Sequence, residues 1–178
     1  IFFFLFLLQE KNLILENKEL MHYHFKIAQH SAIYEKKYEW LGKFIETYGQ
    51  FVKHSFKKDM IDLAYSNLYF EKGYYGQSKD FALKVTYKDY ILYLSAKCIL
   101  LKIAFEENDS DSLELLIDSV KKYISTNKEI PAVFISGINE FVNFINQLSK
   151  VKEKNELKLE IGYELRNLEK ELDDYSKK

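Results

Sequence analysis

Apolar residues recur along most of this chain at intervals of three and four, the spacing that gathers them on one side of a helix. Leu41, Phe44, Ile45, Tyr48 and Val52 form one such stripe, and Leu113, Leu116, Ile117, Val120 and Ile124 a second. Phe134, Ile138, Phe141, Ile145 and Leu148 form a third; Leu157, Ile161, Leu165, Leu168 and Leu172 form a fourth. The stretch 89–106 is apolar nearly all round, as expected of a helix buried between neighbours. Alternation of period two is scarce, so almost no strand is expected.

Start signals agree with this pattern. "TYKD" (Thr86 to Asp89) and "DSLE" (Asp111 to Glu114) read as capping pairs whose acidic residue reaches back to free amides. Pro131 suits a first helical turn, where a missing N–H costs nothing. The spacing predicts helices over 18–34, 37–53, 57–72, 75–84, 88–106, 110–125, 131–149 and 155–175. Connections this short force consecutive helices to run antiparallel. No Gly/Ser linker and no block of like charge divides the chain.

Composition narrows the function classes. With 178 residues, 47 % of them apolar, the chain can bury a sizeable core. Its 26 basic residues include one arginine, Arg166, and 27 acidic residues balance them. A net charge of −1 gives no electrostatic footprint for nucleic acid. One cysteine, Cys98, excludes an internal disulfide and a multi-cysteine zinc site; within "LSAKCILLKIAF" it reads as a small buried hydrophobe. The opening run "IFFFLFLL" is too short to span a bilayer, and no membrane span is expected. It reads as the end of a helix that begins outside this chain, with the apolar part of a signal peptide as the alternative. Such an apolar patch is expected to pack on the first helix pair or to drive self-association through residues 1–8. A cytoplasmic location is the working expectation.

The helix pairs also repeat. The first helix of successive pairs ends in "AIYEKKYEWL", "LYFEKGYYGQS" and "IAFEENDSDSL". Tyr38, Tyr75 and Ser110 hold the same place past each turn, 37 and 35 residues apart, followed at equal offset by Leu41, Ser78 and Leu113. In the central pair, small Ser66 precedes Tyr69, then Gly73 at the turn, Tyr75, Ser78 and Ala82. Gly73 stands where a helix must stop, in a left-handed conformation that glycine adopts without penalty.

Paired helices with a period near 34 resemble the tetratricopeptide repeat. The resemblance covers roughly residues 18–126 as three pairs, preceded by the apolar segment 1–17 and followed by a closing helical pair in 127–178. "LAYSNLYFEKGYY" and "LSAKCILLKIAFE" are similar to segments of uncharacterised bacterial proteins with divergent repeats of this type. The pattern departs from the family at Ser66, where glycine is usual, at Lys36 and Asn108, which replace the turn glycine, and in lacking every closing proline. The resemblance implies an all-α fold of antiparallel helix-turn-helix repeats stacked as a short solenoid.

Chemistry is hard to find in the sequence. "GYYG" has too few glycines for a phosphate cradle and no following lysine. His22 and His24 are two apart, on different faces, with His30 six further on, so no metal site is expected. "ENDSDS" (107–112) has the composition of a calcium loop without its glycine and distal glutamate. No nucleophile elbow occurs, and no base is placed to activate Cys98. Neither enzyme activity nor a cofactor is expected.

The repeat family holds peptides on the surface formed by the first helix of each pair, and the matching offsets select His30, Ile33 and Tyr34; Asn67, Phe70 and Glu71; Lys102, Phe105 and Glu106. These mix rings, amides and both charges without a basic clamp for a terminal carboxylate. The same residues could instead pack on neighbouring helices. The expected function is a protein-interaction scaffold with a protein or peptide partner. The alternative is an accessory or regulatory helical domain of a larger enzyme or regulator, with a small ligand in an inter-helix cavity.

Overall fold

A computed structural model describes residues 15, 18–53, 55–156 and 162–176, with 154–156, 162–166 and 175–176 described by backbone alone. The N-terminal run 1–8 and the stripe positions Leu157 and Ile161 lie outside the described residues. The helices are α1 His22–Tyr34, α2 Tyr38–Tyr48, α3 Lys57–Glu71, α4 Tyr75–Ala82, α5 Tyr90–Glu106, α6 Ser110–Thr126, α7 Ala132–Glu156 and α8 Gly162–Ser176. The fold class is all-helical, and among the described residues the exception is a two-residue strand pair, β1 Leu20–Met21 and β2 Val52–Lys53. Two compact units divide the chain, 1–99 and 100–178.

The strand pair corrects the ends of two expected helices. Lys18 takes φ +66, which a right-handed helix cannot accommodate, so α1 begins at His22 rather than near residue 18. After Tyr48 the chain tightens into a 3₁₀ turn, Gly49–Phe51, and then extends. Leu20 and Val52, both buried, sit opposite one another in parallel register. The buried Val52 therefore continues the α2 stripe by a different backbone route.

Within the first unit, α2 packs on both α1 and α3, α3 on α4, and α1 on α3. Phe44 anchors the core, stacked against Phe25, Trp40 and Tyr48 at ring separations of 5.8, 4.9 and 5.2 Å. The α3–α4 contact is the most extensive between described helices. Its cause is a pair of small residues. Ser66 and Ser78 are fully buried, and each hydroxyl donates to the other residue's carbonyl, at 2.9 and 2.7 Å. A serine at each point lets the backbones approach, while the reciprocal bonds satisfy both buried hydroxyls.

Three turns share one geometry. Lys36, Gly73 and Asn108 have φ of +55, +76 and +56. The residue after each donates to the carbonyl five positions back: Lys37 to Ala32, Tyr74 to Tyr69 and Asp109 to Ala104, at 2.8, 2.8 and 2.9 Å. Lys36, Gly73 and Asn108 themselves donate to Ile33, Phe70 and Phe105. This is the Schellman closure of a helix, made at the same offset at the ends of α1, α3 and α5.

In the second unit, α7 packs on α6 and on α8. Leu113, Ile117 and Val120 of α6 and Val142, Ile145 and Val151 of α7 are buried. Val151 meets Leu168 of α8, with Phe144 and Leu148 beside them. Helix α7 runs seven residues past the expected end at 149.

The caps differ from those expected. Asp89 and Asp109 cap α5 and α6, accepting from the amides of Leu92 and Ser112 at 2.9 Å each. Thr86 instead donates to Asp59 at 2.6 Å. Each aspartate stands just before its helix, where its short carboxylate meets the third amide beyond. Pro131 likewise precedes α7, its carbonyl accepting from Phe134 and Ile135.

Candidate peptide-binding face

In the first unit the residues selected by the repeat register fall on two packed helices, His30 and Tyr34 on α1 and Asn67, Phe70 and Glu71 on α3. Tyr34, the last residue of α1, is 83 % exposed, and His30 and Glu71 are also exposed. Partial burial, reinforced by the charge of Lys26 one turn away, holds the His30 imidazole below its ordinary pKa and favours the neutral ring. Asn67 is half-buried and turns its amide onto its own helix, donating to Leu63 O at 2.9 Å. Phe70 is half-buried, its ring 5.5 Å from that of Tyr75. Ile33 is half-buried too. The face thus offers an exposed phenol, an imidazole held toward its neutral form, a carboxylate and part of an aromatic ring, a set suited to mixed contacts.

The residues selected from the third pair, all in the second unit, behave differently. Lys102 is half-buried and Glu106 exposed. Phe105 is engaged by α7: Lys152 lies 4.6 Å above its ring and donates to its carbonyl at 2.9 Å. Helix packing thus engages the Phe105 ring through Lys152, as it engages that of Phe70 through Tyr75.

Other tyrosines serve packing. Phe81 of α4 stacks on Tyr65 and Tyr69 of α3 at 5.1 and 5.6 Å, with Lys84 4.1 Å above its ring. The Tyr65 hydroxyl titrates above its ordinary range, first because of burial and then through Glu46 and Tyr69.

Sequence reasoning missed two features. Asp59 and Asp62, one turn apart on α3, are only 5 % and 7 % exposed, although charged residues read as surface. One signal was available: both lie among Met60, Leu63 and Ser66, on the buried side of α3. Burial, chiefly, pushes the Asp62 carboxyl above its ordinary range; Lys58 and Lys84 draw it down less strongly, and Asp59 adds to the rise. Oδ2 of Asp62 is buried with no hydrogen-bond partner.

The second feature is a cleft of about 270 Å³ beside α7 and α8, lined by Phe141, Phe144 and Leu172 with polar residues around them. A more polar cleft of about 310 Å³ lies between α6 and α7, with Glu114, Asp118, Lys121 and Lys150 on its walls. Neither could have been read from one helix alone.

Among the described residues, no three His, Cys, Asp or Glu side chains gather as metal ligands. No described helix is long and apolar enough to cross a membrane. No protein-family model, curated protein or solved structure matches the chain.

Proposed function

We propose that the chain is a non-catalytic helical-repeat module of the tetratricopeptide type that holds an extended peptide of a partner protein. The observation that carries this reading is the turn made three times, with a left-handed residue at Lys36, Gly73 and Asn108 and the same pair of backbone bonds around each. That the turn keeps its geometry while its residue changes from lysine to glycine to asparagine supports the reading as a repeated helix-pair unit. The packing of α1 on α3 supports it further, since first helices of consecutive pairs lie side by side in such repeats. On this reading Tyr34 and Phe70 are the anchors, His30, Asn67 and Glu71 make the polar contacts, and Lys102 and Glu106 hold the matching places in the third pair.

The test is selection of peptides from a random display library on the whole chain, followed by titration against variants. Phe70→Ala should weaken the selected peptide by about 2 kcal/mol, roughly thirty-fold. Asn67→Ala should weaken it less, and Lys122→Ala on α6 should leave it unchanged. Loss with Lys122→Ala and none with the other two would refute the proposal.

A further inference from the structure

The cleft beside α7 and α8 is a site that the repeat register does not include. Its floor is apolar: Phe141 and Phe144 come from α7, one helical turn apart, and Leu172 from α8 is 49 % exposed. Leucine left half in water beside two partly buried rings is an incomplete core: among the described residues, the contact that buries Leu168 against Val151 one turn away is not continued there. The volume, about 270 Å³, lies below the usual range of roughly 300–1,000 Å³ for small-molecule pockets. It suits one or two apolar side chains inserted from another element.

The rim has one sign of charge. Among the described residues, Glu140 and Glu171 are the charged ones that line the cleft, with Asn143 and Gln147 as neutral neighbours. Glu140 accepts a hydrogen bond from Ser136, and among the described residues no lysine or arginine pairs with either carboxylate. Along residues 167–174 of α8, Glu169 and Asp174 are also exposed, beside one base, Lys170. An apolar floor between helices selects the ridge of a third helix, and a carboxylate rim selects cationic flanks on it.

We infer that this cleft docks an amphipathic helix of a partner protein, one that inserts apolar side chains between Phe141, Phe144 and Leu172 and sets lysine or arginine against Glu140 and Glu171. This docking does not depend on the peptide-binding reading of the helix pairs. It uses residues of α7 and α8 only.

The experiment uses the full chain and a fluorescent model helix of leucines on one face with lysines on its flanks. A second probe replaces every lysine by glutamate. The lysine helix should bind at least ten-fold tighter than the glutamate helix. Charge reversal of the rim, Glu140→Lys with Glu171→Lys, should weaken the lysine helix at least ten-fold and strengthen the glutamate helix. Leu172→Ala should weaken both. The reversal Glu114→Lys with Asp118→Lys, which changes net charge equally on α6, should leave binding nearly unchanged, as should Phe70→Ala. Equal losses from the two double reversals would mean bulk electrostatics and overturn the inference. Equal binding of both probes would overturn it as well. Self-association of the chain that disappears with Leu172→Lys would identify a second copy as the occupant and overturn the foreign helix.

Discussion

At Gly73 the backbone turns at φ +76, and nothing lies within 4 Å of the point where a Cβ would project. Any penalty for a side chain there is conformational, not steric. Gly73→Val should therefore destabilise by about 1–2 kcal/mol, a few degrees in melting temperature for a chain of this size. Gly76, inside α4 and equally open, carries no such constraint. Gly76→Ala should stabilise by up to about 1 kcal/mol through helix propensity. Equal melting temperatures for the two variants would contradict the turn geometry. The same logic runs backwards at Lys36, a lysine at φ +55: Lys36→Gly should raise the melting temperature, by up to about 1 kcal/mol of stability. Asp62 yields a prediction in pH. Its carboxyl titrates above the ordinary 3.8, so the folded state binds the proton more tightly than the unfolded one. The cost of burying its charge is absent below 3.8 and grows as pH rises toward the raised value. Asp62→Asn should gain on the order of 1 kcal/mol at pH 7, and that gain should vanish as pH falls to 3.8. Thermal melts of both proteins at the two pH values measure it; a variant less stable at pH 7 would show that Lys58 and Lys84 outweigh burial.

Between α3 and α4, shape and hydrogen bonding act together at Ser66 and Ser78. Ser66→Ala removes one donor and should cost about 1 kcal/mol. Ser66→Leu should cost more, about 1–3 kcal/mol, because it forces apart the helices whose closeness the small residues permit. Denaturant melts that rank alanine below leucine in stability would contradict this account. Helix positions were legible because each element is long enough to repeat its apolar stripe: Leu41, Phe44, Ile45 and Tyr48 are all buried, as their spacing requires. The left-handed turns were legible in outline, from one glycine and two equivalent places. The caps were not. Near each helix start several residues carry an acceptor, and the direction in which the turn delivers the chain selects Asp89 over Thr86 and Asp109 over Asp111. The β1–β2 pair was illegible too, since two residues have no period to read. The α7–α8 cleft joins residues some thirty positions apart, beyond the reach of any single stripe.

For the molecule as a whole, the balance of 26 basic and 27 acidic residues decides what kind of binding to expect. A peptide held by Tyr34, Phe70 and their polar neighbours should show modest salt dependence, unlike a phosphate ligand, whose affinity falls steeply as counterions compete. The α7–α8 cleft, with its carboxylate rim, should be the more salt-sensitive of the two. Only half of the candidate face was accessible to sequence reasoning. The register selects the positions, but the engagement of Phe105 by Lys152 of another helix arises from a partner that no spacing rule supplies. The most direct test of the peptide-binding claim is amide chemical-shift mapping while a library-selected peptide is titrated into the whole chain. The account predicts shifts centred on His30, Tyr34, Asn67, Phe70 and Glu71, with the outward residues of α2 and α4, such as Lys43, Glu46, Gln77 and Asp80, unmoved. Shifts confined to α2 and α4, with α1 and α3 silent, would contradict it.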